Sequence, residues 1–355
     1  MKITRIHAWR KNLALTRPYS IAGYTFSDVE NVFLEIELEN GITGIGAASP
    51  AEEVVGESCE MSFRNLTSPF FEQMTGRDIR HFRQLISEAA TAFPNLPGTQ
   101  AAFDIALHDA FGKYLGIPVV EFYGQKIRQL PTSVTLGILS LEDTLATAGE
   151  YRKLGFKVLK IKTGEDPEQD IERLRALSLH YKKQFTIRVD ANQGYSLGQL
   201  QQVLAATESI GIELTEQPLA AGRETELLSL SEVQRRRLAA DESLKDERAA
   251  LRLSQLPQPF GIFNIKLMKC GGIVPALEIA TIARHAGIDL FWGCNDESIV
   301  SITAALHAAF ACPHTRYLDL DGSFDLAEDI VSGGFVMENG CLRIAGGPGL
   351  GVVRR

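Results

Sequence analysis

The sequence predicts an α/β fold, a (β/α) barrel joined to a smaller α+β domain. Three observations predict it. Seven short apolar runs each end in a charged or reactive residue, namely Lys162, Asp190, Glu216, Asp241, Lys266, Cys294 and Asp319. Successive gaps are 28, 26, 25, 25, 28 and 25 residues, the length of one strand, one helix and two loops. The chain has 355 residues, which accommodates a barrel of ~250 residues and a second unit. A parallel barrel brings all its strand ends to one mouth, where reactive groups collect.

In chain order the second unit comes first. Residues 1–125 lack the barrel period. Within them, 32–38 (VFLEIEL) alternates and ends at Asn40-Gly41, a hairpin turn into 43–47. A helical pattern then runs over 61–112, broken near Pro94 and Pro97. The irregular segments 17–26 and 49–58 are the expected loops over a barrel mouth. Residues 1–125 therefore read as an α+β capping domain, completed by the Gly-rich, strand-like tail 325–355. Residues 126–324 read as the barrel.

Its strands are expected at 132–137 (TSVTLG), 157–162 (KVLKIK), 185–191 (FTIRVDA), 211–216 (GIELTE), 237–241 (RLAAD), 261–266 (GIFNIK), 288–294 (IDLFWGC) and 316–319 (RYLD). These are short and mostly apolar, as strands buried on both faces are. Helix-period stretches separate them. Residues 275–286 open with a proline suited to a first turn and put Ala276, Ile279, Ala280 and Ala283 on one stripe. Residues 167–177 start at Pro167 with acids in the first turn, where the helix dipole favours them.

Composition excludes several classes. Net charge is 36 − 44 = −8, which argues against a nucleic-acid surface. The first residues (MKITRIHAWRKN) lack the apolar core of a signal peptide, and no apolar run reaches ~18 residues, so no membrane span is expected. Five scattered cysteines without a CxxC pair suggest a reducing compartment, hence a cytoplasmic protein. A homo-oligomer stays open.

Asp190, Glu216 and Asp241 end three consecutive strands. Neighbouring strands lie ~4.8 Å apart, so three carboxylates can converge. Unneutralised, they would repel in a partly dry site. A hard divalent cation resolves this, and an all-oxygen donor set suits Mg²⁺. The competing reading pairs each acid separately with a loop Lys or Arg. Lys162 and Lys266 precede the first acid strand and follow the last, so they flank the trio from opposite sides. Such lysines can take a proton from one face of an α-carbon and return one to the other. Lys160 shares a strand face with Lys162 and adds a cation beside it. Taken singly, each lysine reads better as a surface or salt-bridge residue; two at matched strand ends around three acids do not.

Lys160-Ile161-Lys162, Asp190-Ala191-Asn192-Gln193, Glu216-Gln217-Pro218, Ala240-Asp241-Glu242-Ser243 and Asn264-Ile265-Lys266-Leu267-Met268-Lys269 together resemble the enolase superfamily, muconate-lactonizing subgroup. Residues 102–118 (AFDIALHDAFGKYLGIP) look like its capping-domain helix, and 348–351 (PGLG) like its closing motif. The resemblance covers nearly the whole chain. It implies an enolase-type modified TIM barrel, Asp190, Glu216 and Asp241 as Mg²⁺ ligands, and Lys162 and Lys266 as the two bases of an isomerase.

Asp319-Leu320-Asp321 narrows the expectation, because it resembles the DxD motif of dipeptide epimerases. Period two points both carboxylates the same way, where they can bind an ammonium group. A solvated turn before Gly322 is the alternative. Thr135 and Cys294 match positions that contact the dipeptide in that group. Cys294 is also compatible with a small apolar wall residue. The resemblance thus implies a small dipeptide substrate, epimerised by 1,1-proton transfer through an enediolate that Mg²⁺ and Lys160 stabilise. Rivals on the same scaffold are an N-acylamino acid racemase, an o-succinylbenzoate synthase and a cycloisomerase. A non-catalytic ligand-binding barrel is the rival of another class. The segment 17–26 offers Tyr19, Tyr24 and Phe26 and no cation after Pro18, so Tyr24 is expected at the substrate. Broad tolerance for the second residue follows, including hydrophobic ones, with Ala-Glu accepted but not exclusive.

Overall fold

The computed structural model describes residues 1–21 and 24–355, with side chains for 1–16 and 27–355. Eight strands form one parallel sheet in chain order: Ser133–Leu136, Val158–Lys162, Thr186–Asp190, Thr215–Glu216, Leu238–Ala240, Ile262–Ile265, Asp289–Gly293 and Thr315–Asp319. A parallel bridge between Thr132 and Leu318 joins the last strand to the first and closes the barrel. Every expected barrel strand is present, most trimmed by a residue or two at their ends. The fourth is cut to Thr215–Glu216, because the residues before it leave a helical turn through Gly211 at φ 74.

The barrel interior is filled rather than hollow. Arg188 lies inside it, with its guanidinium 5.3 Å from the Phe291 ring centre and 5.1 Å from that of Tyr317. It donates to Glu213 at 2.7 Å and to the Leu318 carbonyl at 2.6 Å, so the buried charge is paired.

The helices around the barrel follow their sequence signals. Pro167–Tyr181 starts with its proline in the first turn, capped by the Asp166 carboxylate accepting from the Glu168 and Gln169 N–H groups. Ile273–Ala286 buries Ala276, Ile279, Ala280 and Ala283 as the stripe predicts, although it begins two residues before Pro275.

The N-terminal region pairs Ile3–Ile21 with Tyr24–Leu38 and the latter with Thr43–Ala48, all antiparallel. The helix Pro97–Leu115 packs on this sheet. Gly46 permits that contact, since a Cβ there would sit 1.9 Å from the Ala102 carbonyl oxygen. Two expectations need correction. Within 17–26, pairing resumes after a register shift between Ala14 and Tyr19 and joins Tyr19 with Phe26, Ser20 with Thr25 and Ile21 with Tyr24, so 19–21 and 24–26 are strand rather than irregular loop. The helical region 61–112 is also more broken than its pattern suggests. It divides into Cys59–Leu66, Pro69–Glu72, a 3₁₀ turn at Ile79–His81, Phe82–Ala92 and Pro97–Leu115. Pro69 starts a new helix, and Gly76 turns the chain at φ 86.

The C-terminal tail touches both parts. Residues 341–344 pair with Leu130–Pro131, the Ala327 N–H donates to the Ala14 carbonyl at 2.7 Å, and the Leu350 N–H donates to Asp109 at 2.8 Å. All five cysteines are free. Among the described residues no helix is long and apolar enough to cross a membrane.

Candidate active site

The strand register delivers the charged residues to one level. Lys162 is opposite Asp190, and Asp190 opposite Glu216. Asp241 and Lys266 directly follow the fifth and sixth strands. All three acids are buried, at 1%, 0% and 3% exposure for Asp190, Glu216 and Asp241, so their charges interact at low dielectric.

Lys162 donates to Asp190 Oδ2 at 2.7 Å, and Lys266 to Asp241 Oδ2 at 2.9 Å. The two ammonium groups thus bracket the trio, as their chain positions predict. Lys160 bonds Asp319 and stands 3.5 Å from Asp190 and 3.7 Å from Glu216. Burial works against charge on Lys160, but Asp319, Glu216 and Asp190 outweigh it and hold its pKa well above the ordinary lysine value. Burial also opposes charge on Lys266, which Asp241 and Glu216 hold raised. Burial opposes ionisation of Asp190 and Asp241 as well. Lys162 and Lys160 keep Asp190 lowered, and Lys266 and Lys269 keep Asp241 lowered.

Glu216 differs. Burial, and then the Asp190 charge, push its carboxyl up to about 8. Asn264 donates to its Oε1 at 2.6 Å, while buried Oε2 has no hydrogen-bond partner. Among the described residues, no three acidic, His or Cys side chains are gathered into a ready metal cluster. Lysine ammonium groups stand among the carboxylates instead. Even so, the donor set fits Mg²⁺: it is all oxygen, it holds three acids at adjoining strand ends, and one buried carboxylate oxygen is unsatisfied.

The DxD acids lie on the opposite side of Lys160. Asp319 accepts from Lys160 and from the Ser133 hydroxyl at 2.6 Å, and is held lowered against burial by Lys160. Asp321 accepts from the Thr135 N–H at 2.8 Å. Burial and the neighbouring Asp319 push it up to about 7, and Lys160 offsets them only in part. Cys294 packs against both, its Sγ donating to the Asp319 carbonyl at 3.2 Å and lying 3.9 Å from Asp321 Oδ1. Burial and Asp321 hold this thiol well above its ordinary value, which suits a wall residue rather than a nucleophile.

The structure therefore gathers Thr135, Lys160, Lys162, Asp190, Glu216, Asp241, Lys266, Cys294, Asp319 and Asp321 at one mouth. The Tyr24 side chain lies outside the described residues. The segment 49–58 does reach this mouth: Val54 and Val55 line a narrow crevice with Asp241, Lys266 and Asn295. Its Ser49 hydroxyl donates to the Asp296 carbonyl at 3.0 Å, and Glu57 pins it by accepting from the Gly98 and Thr99 N–H groups.

The motifs quoted above assign no role to several residues that the structure places on the acids and lysines. Asn192 accepts from Lys162 at 2.7 Å, Asn264 holds Glu216, and Lys269 bonds Asp241. The period-two argument that joined Lys160 to Lys162 applies equally to Asn264 and Lys266 and would have found Asn264. Gly293 makes room for Lys266, since a Cβ there would meet Asn264 at 2.6 Å and the Lys266 Cε at 3.1 Å. Asn192 and Gln217 carry this geometry at φ 41 and 32, strained for residues with a Cβ.

Family models match along most of the chain. Residues 143–354 match the enolase C-terminal domain-like family, and residues 4–124 match the mandelate racemase / muconate lactonizing enzyme N-terminal domain. The chain belongs to the enolase superfamily. An L-Lys-D/L-Arg epimerase of Desulforapulum autotrophicum is 52% identical over 354 residues, covering 100% of both chains. Another L-Lys-D/L-Arg epimerase, from Methylococcus capsulatus, is 50% identical over 353 residues, covering 99% of each. A crystal structure of the dipeptide epimerase from Methylococcus capsulatus, complexed with Mg and the dipeptide L-Arg-D-Lys, superposes with a TM-score of 0.97 at 50% identity. It covers 99% of this chain and 100% of that one. These enolase-superfamily relatives agree with the barrel, the cap and the expected chemistry.

Proposed function

We propose that Lys162 and Lys266 are the two bases of this enzyme, that Asp190, Glu216 and Asp241 hold its metal, and that its preferred substrates are cationic dipeptides. The chain is an isomerase, a Mg²⁺-dependent dipeptide epimerase. One observation carries the assignment of roles: the two ammonium groups approach the acid trio from its two ends, on Asp190 and on Asp241.

In this reading one lysine removes the α-proton of the C-terminal residue, and the other delivers a proton to the opposite face. Asp190, Glu216 and Asp241 would hold Mg²⁺, which when bound would supply positive charge for the substrate carboxylate and offset the hold of the acids on the lysines. Lys160, buried and kept charged, faces the oxygens on which negative charge builds. Asp321, with Asp319 behind it, takes the substrate ammonium. Thr135 and Cys294 fix the Asp321 side of the pocket.

The cationic preference rests on the relatives named above and on charge. Glu52 and Glu53 lie on the segment over the mouth, Asp296 and Glu297 follow the seventh strand, and Asp325 follows the eighth. Lys245 reaches the same segment, and its ammonium is bonded to the Val54 carbonyl. Acids around a mouth attract cationic side chains and repel glutamate. The breadth suggested by the aromatics of 17–26 has no such support, because those side chains lie outside the described residues. kcat/KM for L-Lys-L-Arg is expected to exceed that for L-Ala-L-Glu by ~100-fold, or ~2.7 kcal/mol. Equal values for the two would remove the cationic preference and restore the broader expectation.

Asp321→Asn tests the ammonium site. It is expected to cost ~2–5 kcal/mol with free dipeptides and little with Nα-acetylated ones, which offer no α-ammonium. Wild-type enzyme that treats free and acetylated substrates alike would favour the N-acylamino acid racemase reading.

The division into a cap of 1–125 with 325–355 and a barrel of 126–324 belongs to the same proposal. Bonds from 327 and 350 to the N-terminal region support it. A cytoplasmic location accords with five free thiols.

A further inference from the structure

Each acid of the trio has one oxygen tied by the protein. Asp190 Oδ1 accepts from the Asn192 N–H at 3.0 Å. Glu216 Oε1 accepts from Asn264 at 2.6 Å. Asp241 Oδ1 accepts from Lys269. The other oxygen of each faces the lysines: Asp190 Oδ2 meets Lys162, Asp241 Oδ2 meets Lys266, and Glu216 Oε2 is unsatisfied.

Lys269 is the most built of the three tethers. It lies one turn beyond Lys266 in the short helix Leu267–Cys270 and is 6% exposed. Its ammonium donates to Asp241 Oδ1, to the Asp241 carbonyl at 2.6 Å and to the Asn264 carbonyl at 3.1 Å. An ammonium has three donors and no acceptor, so these three oxygens satisfy it completely. Gln217 fixes the same strand end from the other side, its Oε1 accepting from the Asp241 N–H at 2.9 Å and the Ser243 N–H at 3.1 Å.

We infer that Lys269, with Asn264 and the Asn192 amide, limits each acid to one metal-facing oxygen and so selects Mg²⁺ over Ca²⁺. The inference rests on the assignment of Asp190, Glu216 and Asp241 as ligands. Mg²⁺ demands near-octahedral geometry and accepts single carboxylate oxygens. Ca²⁺ takes six to eight oxygens and readily uses both oxygens of a carboxylate. A tethered oxygen is already held by its partner, so recruiting it as a second ligand would strain or cost that bond and disfavour the bidentate mode Ca²⁺ uses. Lys269 and Asn264 are positioning residues, since they act on the ligands and not on the ion.

The test is Mn²⁺ binding followed by electron paramagnetic resonance, with displacement by Mg²⁺ and by Ca²⁺, on folded wild type, Lys269→Met, Asn264→Ala and Asp241→Asn. Lys269→Met is expected to weaken Mg²⁺ by ~10–100-fold, the usual effect of losing a partner of a ligand. Ca²⁺ should weaken less, so that the Mg²⁺/Ca²⁺ preference falls by about tenfold or more. Asn264→Ala carries the same expectation through Glu216. An unchanged preference in both variants, beside lost binding in Asp241→Asn, overturns the tether inference while leaving the ligands in place. Wild-type binding by Asp241→Asn overturns the ligand assignment itself. A crystal structure of Mg²⁺-loaded wild type gives an answer that needs no variant. Lys269 should still bond Asp241 Oδ1, with each acid ligating through one oxygen. Bidentate Asp241 overturns the inference.

Discussion

Lys162→Ala and Lys266→Ala are each expected to lose epimerisation by ~10³-fold or more, within the range that a positioned acid–base group contributes. The two losses should not be alike in detail. One base survives in each variant, so each should still exchange the α-proton of one epimer with D₂O, and the two variants should exchange opposite epimers. Proton NMR of the α-hydrogen in D₂O reads both effects. The expectation follows from the bracket around the trio, with Lys162 on Asp190 and Lys266 on Asp241. The two lysines are not equivalent in environment. Lys266 is 13% exposed at its side chain and Lys162 29%, with Asn192 as a further partner for Lys162. Near wild-type epimerisation by either variant would remove the two-base mechanism.

Metal removal should be as severe. Chelation with EDTA is expected to abolish turnover, and Mg²⁺ or Mn²⁺ to restore it. Asp241→Asn should weaken Mg²⁺ by more than ~100-fold, since loss of a ligand's hydrogen-bonding partner alone costs 10–100-fold. The structure gives the reason. Two lysines already compete for Asp241, through Oδ1 and Oδ2, and the neutral amide would leave both without their main counter-charge. Isothermal titration with Mg²⁺ measures the affinity. Full activity in chelator with no metal bound would refute the metal assignment.

Much of this was legible in the sequence because a barrel imposes a period. Once Lys162, Asp190, Glu216, Asp241 and Lys266 recur at strand-plus-helix spacing, closure of the sheet puts them on one rim. Parity along the strand then placed Lys160 and both DxD acids. What parity could not give was who bonds whom. Asp319 and Asp321 share a face, but Lys160 and Ser133 engage Asp319 while, among the described residues, Asp321 meets a backbone amide and a thiol. That difference comes from the neighbouring strands, which no local pattern encodes. Lys269 was hidden for the same reason: its partners, Asp241 and Asn264, are 28 and 5 residues away. The cap was harder than the barrel because its elements lack a repeat. Pro69 and Gly76 cut a helical pattern that amphipathic spacing alone would have continued. The paired residues 19–21 and 24–26 read as irregular because Pro18 and Gly23 interrupt the alternation of the sequence.

The central claim is that a proton leaves one face of an α-carbon and another arrives on the opposite face. Wild-type enzyme with Mg²⁺ and L-Lys-L-Arg in D₂O tests it most directly, with mass spectrometry and NMR on the early product. The account predicts that the new epimer carries deuterium at the α-carbon of its C-terminal residue from the first turnovers, while the remaining substrate keeps more of its protium. An epimer that forms with its original α-proton retained would contradict it.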